Sequence, residues 1–84
     1  MATQNAVLPV GAFSITTSDS VTQRACGIYV GTGGDVAVMP ADQEGKTSPA
    51  AVTFKNVPAG TVLPIQVVKV MSTNTTASDM VGLR

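Results

Sequence analysis

The chain has no histidine, no tryptophan and a single cysteine, Cys26, in 84 residues. A zinc or iron site needs several His or Cys ligands, so no metal or other cofactor is expected, and one cysteine forbids an internal disulfide. Aromatics are nearly as scarce, at two Phe and one Tyr. Large side chains, each worth about 1.5–3 kcal/mol on burial, are therefore few. Charge is low too: five basic and five acidic residues cancel to zero. Nucleic acid and anionic membrane both reward a basic excess, so neither is expected as a partner. No apolar run reaches membrane-spanning length, and Met1-Ala-Thr-Gln-Asn lacks the basic-then-apolar pattern of an export signal. The expectation is a soluble chain, neither secreted nor anchored.

What is present is small and β-prone. Of the 37 apolar residues, 23 are Val or Ala, and Val with Thr makes up 24 of the 84 positions. Only three Leu occur, and apolar residues nowhere repeat at i, i+3, i+4, i+7 for three turns, so no helix is predicted. One domain over residues 1–84 is the ceiling at this length. A domain this small usually needs disulfides, a metal or oligomerisation to be secure. With the first two removed, self-association is left.

Alternation and turn signals predict about six short strands, near 13–17, 24–30, 35–39, 51–55, 62–71 and 79–83, in an all-β fold. Such strands build a small antiparallel β-sandwich or a jelly-roll-like barrel. Residues 1–12 read as an N-terminal arm, held by something if it is ordered. Residues 40–50, with three of the ten charges plus Gly and Pro, read as an exposed charged loop. Phe13 and Ile15 share a face, as do Cys26, Ile28 and Val30, then Val36 and Val38, then Val52 and Phe54. Phe54, Ile65 and Ile28 are the expected core. Tyr29 between Gly27 and Gly31 suggests close packing over its ring. Pro58 and Gly60 suit positions i+1 and i+3 of a type I turn. In the run 62–71, Leu63, Ile65 and Val67 alternate while Val68 and Val70 fall on the opposite parity, which calls for a bulge or two covered faces.

Motifs that could carry chemistry all have plainer readings. Gly31-Thr-Gly-Gly-Asp is followed by the β-prone Val36-Ala-Val rather than a helix, so it reads as a hairpin turn and not a phosphate loop. Glu44-Gly-Lys-Thr has Pro40 where a P-loop has its first glycine. Asn74-Thr-Thr fits a glycosylation sequon but reads as a polar loop. Cys26 has no histidine to activate it and reads as a buried, inert thiol. The carboxylates Asp19, Asp35, Asp42, Glu44 and Asp79 each lie in or beside an expected turn, where local hydrogen bonding explains them. No catalytic, cofactor-binding or metal residue is assigned, and no enzyme activity is expected.

Three strings carry a resemblance: Arg24-Ala-Cys-Gly-Ile-Tyr-Val-Gly-Thr-Gly-Gly-Asp-Val-Ala-Val, then Val52-Thr-Phe-Lys-Asn-Val-Pro-Ala-Gly-Thr-Val-Leu-Pro-Ile-Gln-Val, then Thr75-Thr-Ala-Ser-Asp-Met-Val-Gly-Leu. Together they resemble the spike base protein family of gene transfer agents and tailed bacteriophages, over roughly residues 13–83. The middle string is the specific part. The chain departs from the family in its long charged 40–50 loop, where a short glycine-rich link is usual, and in ending Leu83-Arg84 rather than in an aromatic. The resemblance implies a virion structural protein, a head spike base or decoration protein on the capsid exterior, synthesised in the bacterial cytoplasm. Its partners would be copies of itself, the major capsid protein and a spike or fibre protein. Two other readings stand beside it: a tail or baseplate component, and a glycan-binding module in which Tyr29 or Phe54 stacks on sugar.

Overall fold

The Val- and Thr-rich segments form seven strands in a computed structural model that describes residues 9–84. They are β1 (Ala12–Ser14), β2 (Gly27–Thr32), β3 (Gly34–Pro40), β4 (Val52–Val57), β5 (Thr61–Leu63), β6 (Val67–Val70) and β7 (Ser78–Leu83). Two antiparallel sheets result, one of four strands in the order β1-β7-β2-β5 and one of three in the order β4-β3-β6. Ile28, Val30 and Met80 from the first sheet meet Val36, Val38, Val57, Val67 and Val70 from the second in a single core. The predicted all-β sandwich is therefore the fold. The one helical element among the described residues is a single 3-10 turn, Ala41–Gln43, and no helix there is long and apolar enough to cross a membrane. The arm expected over 1–12 falls mostly on residues 1–8, outside the described residues, and Ala12 already belongs to β1.

The strand count rises from six to seven because the run 62–71 changes sheets. Thr61–Leu63 pairs with β2, Pro64 cannot donate to a ladder, and Val67–Val70 resumes against β3 in the other sheet. The shifted parity of Val68 and Val70 thus reflects a crossing rather than a bulge within one strand. Val67, Val68 and Val70 are all buried. The Gly31-Thr-Gly-Gly-Asp segment is a crossing too: β2 and β3 lie in different sheets, so the expected hairpin does not form. A Cβ on Gly33 would sit 2.8 Å from the Val57 carbonyl oxygen, which is why the tight passage takes glycine. Between β4 and β5 the Thr61 N–H donates to the Pro58 carbonyl at 3.3 Å, and Gly60 has φ +83. The turn therefore spans Pro58–Thr61 with Gly60 at i+2, one register away from the expected type I placement and with the positive φ of a type II turn.

Phe54 and Ile65, expected in the core, are half-buried against it, whereas Ile28 is fully buried. Val52, expected inward, is 47% exposed. It is the first residue of edge strand β4. The close packing anticipated over Tyr29 occurs elsewhere. Tyr29 is 40% exposed, while the ring of Phe13 lies over Gly82, the residue it faces in the β1–β7 register. A Cβ on Gly82 would meet that ring at 2.4 Å. The Arg84 guanidinium lies over the same ring, 4.8 Å from its centroid.

Candidate functional site

The groups that could carry chemistry are dispersed. Among the described residues no three of His, Cys, Asp or Glu converge as a metal set. Cys26 is half-buried, whereas Ile28 and Val30 are fully buried. Its neighbour Ala25 bridges to Val67 of the second sheet while Gly27 pairs with Leu83 of the first, so the chain is changing sheets at Cys26 and strict alternation fails there. The thiol lies on the wall of a groove of about 330 Å³ between Ala25, Gln66 and Val67, with Arg24 and Arg84 also on its wall.

Each acidic group outside the Asp42 turn is spent on holding the chain together. Asp19 accepts the Ser72 and Thr73 N–H groups at 2.9 and 3.0 Å and also the Thr73 hydroxyl, fastening the segment after β1 to the β6–β7 loop. The Thr73 hydroxyl and N–H hold its carboxylate below the ordinary 3.8. Glu44 meets the Arg24 guanidinium through both oxygens, one contact at 2.8 Å. That hydrogen-bonded pairing lowers the carboxyl from 4.5 and raises the guanidinium. Asp35 accepts the Asn56 N–H at 3.0 Å and lies 3.9 Å from the Lys55 ammonium. Asp79 accepts the Thr32 hydroxyl at 2.8 Å from a left-handed backbone conformation, φ 53. A Cβ on Gly31 would sit 2.4 Å from the Asp79 carbonyl oxygen, so this glycine and the kinked aspartate form a matched pair. Asp35 and Asp79 are each the second residue of a strand, beside the connecting segment that precedes it.

Asn74-Thr-Thr, read as a loop, supplies a substitute strand. The upper half of β3 has no β6 partner, and there the Asp35 and Ala37 N–H groups donate to the Thr76 and Thr75 hydroxyls, each at 2.9 Å. The Thr76 and Ala77 N–H groups return bonds to the Asp35 carbonyl. Sequence reasoning had no signal for this, since hydroxyl acceptors leave no period. The 41–50 segment crosses the outer face of the second sheet, its Gln43, Gly45 and Pro49 lining a hollow floored by Met39 and Val68.

What remains at the surface is an uncharged sheet face and an open flank. On the outer face of the first sheet Tyr29 stands between Val81 of β7 and Val62 of β5, the latter 49% exposed. At the foot of β4 a second groove, of about 440 Å³, opens between Pro40, Val52, Ile65 and Gln66. Such surfaces suit contact with another protein.

No family profile matches the chain, nor does any curated protein sequence. Among solved structures, a chain from the capsid of a native gene transfer agent particle, computed with C5 symmetry, superposes with a TM-score of 0.75 at 33% sequence identity. The match covers 90% of this chain and 83% of that one. This chain belongs to the family of that gene transfer agent capsid chain. The match over 90% of the chain takes in strands of both sheets.

Proposed function

We propose that this chain is a structural protein of a phage-like particle, a head spike base or decoration protein that assembles in several copies on the capsid exterior and anchors a spike or fibre. The observation that carries the reading is the match of nearly the whole chain to a component of a gene transfer agent capsid. Three features support it. The carboxylates and the arginines take part in internal fastenings rather than a shared site, the Val/Ala core is thin for an isolated domain, and apolar side chains stand at the surface beside unpaired strand edges. Its partners in this reading are copies of itself, the major capsid protein and a spike or fibre protein. The glycan-binding alternative has one exposed ring, Tyr29, since Phe54 is half-buried. One ring flanked by valines offers a sugar little beyond a stacking plane.

Because few charges are free to join contacts, attachment should rest on apolar area and backbone pairing. It should then survive about 1 M salt, where the screening length is about 3 Å. Purified particles washed in that salt and analysed by quantitative mass spectrometry should retain the chain, and image reconstruction should place it on the outer head surface. Complete release, or a position on the tail or baseplate, would overturn the head-surface reading.

A further inference from the structure

Strand β3 is flanked by two connecting segments that are held in different ways. The 74–77 segment is fastened to its backbone: the Asp35 and Ala37 N–H groups donate to the Thr76 and Thr75 hydroxyls, and the Thr76 and Ala77 N–H groups donate to the Asp35 carbonyl at 2.8 and 3.1 Å. The 41–50 segment has no such stitching. Met39 alternates along β3 with Val36 and Val38, which belong to the core, and so points outward, yet it is only 7% exposed. Val68, 5% exposed, also lies outside that core cluster. What shelters both is the crown of the 41–50 segment, which faces them across a hollow of about 210 Å³, a looser fit than a close-packed interior.

The crown is held from outside rather than by its own burial. Residues 44–50 are all exposed. Its neck is closed by bonds within the segment, the Ala50 N–H donating to Gln43 Oε1 and the Lys46 N–H to the Gln43 carbonyl, each at 3.2 Å. Among the described residues two links leave the segment for the rest of the fold. The Ala41 N–H donates to the Gln66 carbonyl at the base, 2.9 Å away, and Glu44 meets the Arg24 guanidinium at the crown. Arg24 and Glu44 are 61% and 50% exposed, so water screens the pair and local opening costs little. Two other charges lie close. Lys69, opposite Met39 in the β3–β6 register, lines the same hollow, and Asp42 sits at the neck, where the Gln43 amide donates to it at 3.2 Å. Lys46 lies on the crown itself. Lysine and arginine stay charged throughout the acid range, which leaves Glu44 as the crown group whose charge acid removes.

We infer that the 41–50 segment is a releasable strap latched by the Arg24–Glu44 pair: with the pair formed it masks Met39 and Val68, and loss of the Glu44 charge lets the crown swing about the Ala41–Gln43 neck and bare both side chains. The inference concerns the single chain and stands apart from the capsid reading.

The Met39 thioether supplies the readout, because hydrogen peroxide oxidises an accessible methionine to its sulfoxide. Met80, buried in the core at 4%, reports on global opening instead. Peptide mass spectrometry of the full-length protein treated with peroxide at neutral pH should show both oxidising slowly. Glu44→Ala should speed Met39 oxidation about two- to fivefold, the range open to an exposed pair, and leave Met80 unmoved. Arg24→Glu should do at least as much, and Arg24→Glu combined with Glu44→Arg should bring Met39 back near its original rate. Arg24 holds the Glu44 carboxyl below the ordinary 4.5, so in the unaltered protein the Met39 rate should be low at higher pH and climb as pH falls through that lowered value. In Glu44→Ala the rate should be high and flat. A climb of the same size in Glu44→Ala would place the switch at Asp42 and overturn the assignment. Fast Met39 oxidation in the unaltered protein at neutral pH, slow oxidation in both single variants, no rescue by the reversed pair, or Met39 and Met80 rising together would each overturn the strap.

Discussion

The two flanks of the sandwich are built from similar strands yet finished differently. On the β1–β6 flank the segment between β1 and β2 runs along β6, and polar side chains fasten it: Gln23 exchanges bonds with Thr16, Asp19 takes two N–H groups and a hydroxyl, and Arg24 ties in Glu44 of the 41–50 loop. On the β4–β5 flank no segment among the described residues covers the ladder edge, and Val52 and Val62 are each about half exposed. Three of the ten charged residues are thus spent closing one flank of a nearly uncharged chain. Among the described residues the β4 edge is unpaired and its one lysine, Lys55, lies 3.9 Å from Asp35, which leaves that edge lightly guarded. The difference between the flanks therefore teaches that the scarce charges go to closing one edge while the other keeps a bare ladder.

The widest separation should come from substitutions that remove core volume as opposed to open-flank surface. Ile28→Ala, between the sheets, is expected to cost about 2–5 kcal/mol, a large share of the roughly 4–13 kcal/mol available to a domain of this length. Val62→Ser, outward on the open flank, should change folding by no more than about 0.5 kcal/mol. Denaturant melts of the two variants check both, and equal costs would mean that Val62 is covered within the subunit. Phe54→Ala should fall between, at about 1–3 kcal/mol, because the ring is half-buried and deletes less contact than a fully buried phenylalanine.

The closed flank should also be the acid-sensitive one. Folded-state carboxyls of Asp19 and Glu44 lie below 3.8 and 4.5, so at higher pH both folded and unfolded chains carry these charges and the fastenings contribute in full. As pH falls below those values the unfolded chain binds protons first, and the contribution is lost as pH passes down through the lowered folded values. Thermal melts from pH 7 to pH 2 should show this decline, and Asp19→Asn should flatten part of it. Both groups are exposed, so the effect should be smaller than that of Ile28→Ala and weaker in salt. By amide exchange, Asp19→Asn should loosen Ser72 and Thr73 while leaving Thr53 and Phe54 unchanged. The smallest effect is expected from Lys46→Ala on the exposed loop, within about 0.5 kcal/mol by denaturant melt.

Much of this molecule was legible in the order of its residues. Alternation of apolar and polar side chains has the period of a pleated strand, so Ile28, Val30, Val36 and Val38 could be assigned inward before any coordinates. Punctuation by Gly and Pro marked where strands stop, and a single cysteine ruled out a disulfide within the chain. What alternation cannot say is which sheet a strand joins. Cys26, the Gly31–Asp35 segment and Pro64 each mark a point where the chain passes between sheets, and there the period breaks because the partner changes. Nor could it foresee hydroxyls of Thr75 and Thr76 standing in for a strand, or the carbonyl of Asp79 filling the space that Gly31 leaves open. These contacts join positions about 40 or more residues apart along the chain. Local preference is a property of neighbours in sequence, whereas an edge is covered or bare only once both sheets are in place. Composition thus determined an all-β chain with a thin core, and tertiary packing alone decided which flank was sealed and which was left open.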